Sequence, residues 1–85
     1  MDVKIMHEGN RLFVLDRNTD DPVTGRFGYP IYHIYGGLIT YDEAMADLIR
    51  ETLRGGHVIQ EIDGQTNYVL SQISYYLEWY KNCVD

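Results

Sequence analysis

Cysteine occurs once in this 85-residue chain, at Cys83, so no intrachain disulfide can form and a reducing compartment is expected. Basic residues are scarce: seven lysines and arginines stand against thirteen acids, a formal charge of -6. That balance repels a phosphate backbone, which argues against direct nucleic-acid binding and favours a basic protein surface as partner. No segment approaches the ~18 apolar residues that a membrane-crossing helix needs. The opening Met1-Asp2-Val3-Lys4-Ile5-Met6-His7-Glu8 has charges every few residues and does not read as a secretion signal. Neither Gly36-Gly37 nor Gly55-Gly56 has the spacing or the following lysine of a phosphate-binding loop. No linker, repeat or low-complexity tract divides the chain. The expectation is one soluble, cytoplasmic domain over residues 1–85, without cofactor or metal and not an enzyme.

Aromatic residues are plentiful by contrast. Eight tyrosines fall in two clusters, Tyr29, Tyr32, Tyr35 and Tyr41, then Tyr68, Tyr75, Tyr76 and Tyr80. Tyrosine supplies large, stiff, half-polar contact area of the kind enriched at binding surfaces.

Residues 2–7 and 11–15 alternate as two strands, and Glu8-Gly9-Asn10 between them suits a tight hairpin. Residues 16–28 form the longest polar stretch, read as a loop with breakers at Asp20-Asp21-Pro22 and Thr24-Gly25. Residues 29–35 predict a third strand, with Pro30 at its start or at a sheet edge. Thr40-Tyr41-Asp42-Glu43 matches a capping box. The helix it opens should run to about Arg54, stop at Gly55-Gly56, and turn Tyr41 or Ala44, Met45, Leu48, Ile49 and Leu53 inward. Residues 57–62 predict another strand. Asp63-Gly64 is a strong hairpin signal, favouring a return strand over residues 66–70 and a last helix over 71–82. The competing reading starts that helix directly after Gly64, because Val69, Ile73, Tyr76, Leu77, Tyr80 and Val84 share one helical stripe. The order β-β-β-α-β-β-α predicts an α+β two-layer sandwich, a mostly antiparallel sheet of four or five strands with two helices on one face.

Candidate chemistry is thin. Asp16-x-Asn18-x-Asp20 begins like a calcium loop, but Asp21 stands where glycine is needed and Phe27 where the bidentate glutamate belongs. His7, His33 and His57 lie on three predicted strands and could meet at zinc only if those strands are neighbours. Cys83 sits near the chain end with no basic pocket evident to activate it. Glu43, Asp47 and Glu51, spaced i, i+4, i+8, form an acidic stripe on the first helix, which Asp42 and Asp20-Asp21 extend. Tyr75 and Trp79 fall together on a flank of the last helix.

These features point to a protein-binding module, an inhibitor that occludes the basic, nucleic-acid-binding surface of a larger protein. Small acidic domains of this sort are often encoded by phages or mobile elements as anti-defence proteins. Docking is expected through Asp20, Asp21, Tyr32, Asp42, Glu43, Asp47, Glu51, Tyr75 and Trp79. An alternative is a small-ligand-binding or enzymatic domain, its sheet lined by Tyr29, Tyr35, His33 and Tyr68, with His33 as the acid–base group. A third reading is a structural homodimer joined through the C-terminal helix.

Overall fold

A computed structural model describes residues 1–25 and 27–84, with residues 79–84 described by their backbone alone. Six elements follow in the order β1 (Asp2–Glu8), β2 (Arg11–Asp16), β3 (Tyr32–Ile34), α1 (Tyr41–Arg54), β4 (Val58–Ile62) and α2 (Val69–Val84). The four strands form one sheet in the spatial order β3-β2-β1-β4. β1 and β2 are an antiparallel hairpin that pairs Val3 with Asp16 and Glu8 with Arg11. Its turn needs a left-handed residue, and Gly9 supplies it at φ 61°. β3 adds antiparallel to β2. β4 lies parallel to β1, with a register shift between Val3 and Lys4. A parallel neighbour requires a crossover, and α1 is that crossover, running over the sheet from the β3 edge to the β4 edge.

The predicted cap on α1 is present: Thr40 has extended geometry and its hydroxyl accepts the Glu43 amide at 3.2 Å. Thr40→Ala should therefore lower stability by about 1 kcal/mol without altering the fold, read as a shift in the urea midpoint. A shift no larger than that of an exposed mid-helix substitution would mean that the cap is idle.

Both helices cover one face of the sheet. Val3, Ile5, Leu12, Val14, Ile59 and Ile62 meet Met45, Leu48, Ile49 and Val69 in one core. Thr52 is buried among them, and its hydroxyl is satisfied by the Leu48 carbonyl at 2.7 Å.

Two expectations need correction. The Asp63-Gly64 turn forms, with an isolated bridge between Ile62 and Gln65, but residues 66–70 are not a strand. Tyr68 takes φ 65° and α2 starts at Val69, whose burial with Ile73 and Tyr76 requires a helix rather than an edge strand. The sheet thus has four strands and the order is β-β-β-α-β-α. The third strand is three residues long rather than seven: Pro30 pairs across to Thr24, and beyond Ile34 the Tyr35 amide donates to the Asn10 carbonyl of the hairpin turn, where β2 has not yet begun. The polar loop after β2 also contributes to the core. Val23 is buried, its amide donating to the Val14 carbonyl at 3.1 Å and its carbonyl accepting from Ile31 at 3.0 Å.

Candidate functional site

The strand pleat decides which side chains the helices leave uncovered. Val3, Ile5, Leu12 and Val14 point into the core, so Lys4, Met6, Phe13 and Leu15 point out of the opposite face. Met6 pairs with Phe13, and Phe13 with Tyr32, so these three side chains stand in one row across the open face. Tyr32 is 51% exposed and Ile34 beside it 53%. Met6 and Phe13 are half-buried by their neighbours alone. The Arg11 guanidinium lies 5.6 Å from the centre of the Phe13 ring, a cation–π contact at the margin of the row. By the same alternation Asp2 and Glu8 belong to this face at the two ends of β1, both exposed. Glu61, paired with Lys4, adds a third carboxylate. Asp20 reaches the face through its ion pair with Lys4 at 2.6 Å, which raises the lysine's pKa. The result is an apolar and aromatic centre with a mixed, acid-rich rim.

The helix side holds a second feature. A half-open cleft of about 800 Å³ lies between α1 and the segment 24–31, lined in part by His33, Asp47, Glu51, Arg54 and His57. Phe27 and Tyr29, both largely exposed, form its rim. Their segment is closed by the Thr24–Pro30 bridge and by the Gly25 amide donating to the Tyr29 carbonyl at 2.7 Å. His33 Nε2 lies 3.3 Å from Glu51 Oε2. Two acids and two arginines of α1 share this lining, so its charge is nearly balanced.

The expected docking residues are therefore divided. Tyr32 and Asp20 belong to the open sheet face, and Asp21 is exposed on the turn beside it. Asp47 and Glu51 line the cleft on the other side of the molecule. Asp42 and Glu43 are half-buried in the first turn of α1, and Tyr75 is exposed on α2. The side chains of Trp79 and Cys83 lie outside the described residues. Of the four residues expected around a ligand, the cleft includes Tyr29 and His33 but not Tyr35 or Tyr68. Met6 and Phe13 escaped sequence reasoning. Their signal is that Leu12-Phe13-Val14-Leu15 is apolar on both faces, although only one face is covered.

Several other polar groups have structural partners, whereas, among the described residues, the buried His57 Nδ1 and Gln72 Oε1 have no hydrogen-bond partner. The Asp16 carboxylate accepts the Asn18 and Thr19 amides at 2.8 and 3.3 Å, capping its own turn. His7 Nε2 lies 2.6 Å from the Tyr35 hydroxyl and 2.9 Å from the Gly9 carbonyl, pinning the hairpin turn. Among the described residues, no three or more His, Cys, Asp or Glu are grouped to hold a metal ion, and no helix is long and apolar enough to cross a membrane.

Where α1 meets α2, burial raises the Tyr41 phenol's pKa, with Asp63 and Tyr35 adding to it. Burial chiefly raises Tyr76 too, followed by Tyr41 and Asp42. The unfolded chain thus loses these protons first. Their contribution is intact below the ordinary phenol value of about 10 and is lost as pH climbs through the raised folded values. The denaturant midpoint should fall between neutral and strongly alkaline pH, and Tyr76→Phe should blunt that fall. An identical alkaline loss in Tyr76→Phe would contradict the assignment.

Comparison of the chain with protein-family models, with curated proteins and with solved structures finds no match in any of the three.

Proposed function

We propose that the chain is a protein-binding module that docks its open sheet face on the basic, nucleic-acid-binding surface of a larger protein and inhibits it by covering that surface. One observation carries the reading: the row Met6–Phe13–Tyr32 stands uncovered because both helices pack on the other face. An apolar centre within a charged rim is the anatomy of a protein interface. The net charge of -6 supplies the sign of the partner, since opposite charge speeds encounter and discriminates among surfaces. This moves the anchor from the α1 stripe to the sheet. The carboxylates of that stripe share the cleft with two arginines; the aromatic row is ringed by Asp2, Glu8, Asp20 and Glu61, with Lys4 and Arg11 among them.

The test is capture of partners from the native host by immobilised wild type and by Tyr32→Ala, at low and high salt. The expected result is a basic protein retained by wild type, released by salt and retained poorly by Tyr32→Ala. Equal retention by both, or retention indifferent to salt, contradicts the proposal.

A second reading, a small-ligand domain, is favoured by the cleft at His33. It would seat an aromatic or nucleotide-like ligand against Phe27 and Tyr29. A thermal shift produced by such a ligand and lost in His33→Ala would support it, and no shift with any nucleotide would remove it.

A further inference from the structure

Two charged side chains of the helix-side cleft have nothing to pair with. Glu51 is engaged by His33, whose Nε2 lies 3.3 Å from its Oε2. Asp47 and Arg54 line the same cleft, and among the described residues neither side chain forms an ion pair or a hydrogen bond. Asp47 is half-buried, so its carboxylate has lost part of its water without gaining a partner. At the Arg54 end the His57 ring lies beside Gly55, and its buried Nδ1 also lacks a partner among the described residues. Unsatisfied buried polar atoms are uncommon in folded proteins, and each calls for an explanation.

The placement of these groups gives the cleft a direction. Asp47 and Arg54 stand seven residues apart on one face of α1, about 10 Å along its axis. A carboxylate that only accepts marks one end, and a guanidinium that only donates marks the other. Phe27 and Tyr29 hold exposed rings at the rim. The volume of about 800 Å³ is that of a small-molecule site.

We propose that this cleft binds a nucleoside 5′-monophosphate, with the base stacked on the rim rings, donors of the base edge on Asp47 and the phosphate on Arg54. The inference rests on the small-ligand reading of the cleft and names the class of ligand. Each part of the ligand answers one feature. Aromatic rings stack bases of every kind. A carboxylate accepts N–H groups from the base edge. Guanine offers two adjacent donors there, whereas uracil offers one donor flanked by carbonyls. A guanidinium grips phosphate through paired N–H donors. The separation of the two charged ends is the size of one nucleotide, from base edge to phosphate. A purely apolar ligand would bury Asp47 and Arg54 unpaired. Inorganic phosphate would leave the carboxylate and the rings unused. The net charge of -6 opposes an anion at a distance, but salt screens it beyond about 8 Å, so the lining groups decide.

Isothermal titration calorimetry of the full chain tests it, with guanosine 5′-monophosphate, uridine 5′-monophosphate, guanosine and inorganic phosphate as probes. The expected result is one-to-one binding, tightest for the guanine nucleotide, weaker for the uracil one and absent for phosphate alone. Asp47→Asn should weaken the guanine nucleotide about tenfold and abolish its advantage over the uracil nucleotide. Arg54→Gln should weaken the guanine nucleotide about tenfold and leave guanosine, which has no phosphate, unchanged. Both substitutions keep the side-chain shape outside the core, and an unchanged circular-dichroism melt verifies folding. If either variant folds poorly, the Phe27 and Tyr29 ring signals of the wild type carry the test, since they should shift on adding the guanine nucleotide. No heat and no ring shift with any nucleotide overturns the small-ligand reading and this inference together. Nucleotide binding undiminished in both variants overturns this inference alone, as does a uracil nucleotide that binds as tightly as the guanine one. Docking through the sheet is judged by partner capture, which none of these outcomes affects.

Discussion

Truncating Leu48 to alanine should destabilise the protein by about 3 kcal/mol, within the roughly 2–5 kcal/mol that buried leucines lose through missing contacts and a residual cavity. Leu48 is fully buried in the middle of α1, in the same core as Val14 and Ile5. Its carbonyl also accepts the buried Thr52 hydroxyl. A cavity there loosens the crossover helix that joins the β3 edge to the β4 edge. Small domains hold totals near the lower end of about 5–15 kcal/mol, so this one change would remove a large share of the stability. The control is Leu70→Ala, where an exposed side chain should cost no more than about 0.5 kcal/mol. Urea unfolding followed by circular dichroism measures both. Comparable losses at the two sites would mean that α1 is not seated as described.

Removing both rings of the open face, Phe13→Ala with Tyr32→Ala, should weaken partner binding by about a hundredfold. Central aromatic anchors often cost 2 kcal/mol or more on truncation, and tenfold in affinity corresponds to about 1.4 kcal/mol. The rings qualify because the ladder fixes their register and each has only two rotatable side-chain bonds, so little freedom is lost on docking. The rim should behave differently. Glu8→Lys should mainly slow association and flatten its salt dependence, because it changes long-range attraction more than the desolvated centre. Surface plasmon resonance with the captured partner separates these effects. A double variant within twofold of wild type would leave the sheet face without a role in docking.

Parts of the fold are legible in the sequence because several local signals agree on them. For α1, the Thr40 cap, the spacing of Met45, Leu48 and Ile49, and the Gly55-Gly56 stop all mark the same segment, and the helix runs from Tyr41 to Arg54. The first hairpin follows from alternation and from Gly9. At Gln65 to Leu70 the signals compete. Asp63-Gly64 does turn the chain, but Val69 satisfies a strand and a helix stripe equally, and only packing with Ile73 and Tyr76 decides between them. The parallel pairing of β4 with β1 is a tertiary choice that no local pattern encodes.

The candidate site was less legible for a related reason. Spacing places Glu43, Asp47 and Glu51 on one helical stripe, but it does not show that Arg50 and Arg54 line the same cleft as Asp47 and Glu51. Nor does alternation say which face of a doubly apolar strand is covered. Leu12 and Val14 are buried and Phe13 is not, because the helices follow the more continuous stripe of β1.

The most direct measurement is a side-chain NMR footprint of the labelled chain bound to its captured partner. The Met6 methyl and the Phe13 and Tyr32 ring signals should shift or broaden together, while His33 and His57 of the cleft stay as in the free protein. Changes confined to His33, His57 and their neighbours, with the sheet row unmoved, would contradict docking through the uncovered sheet.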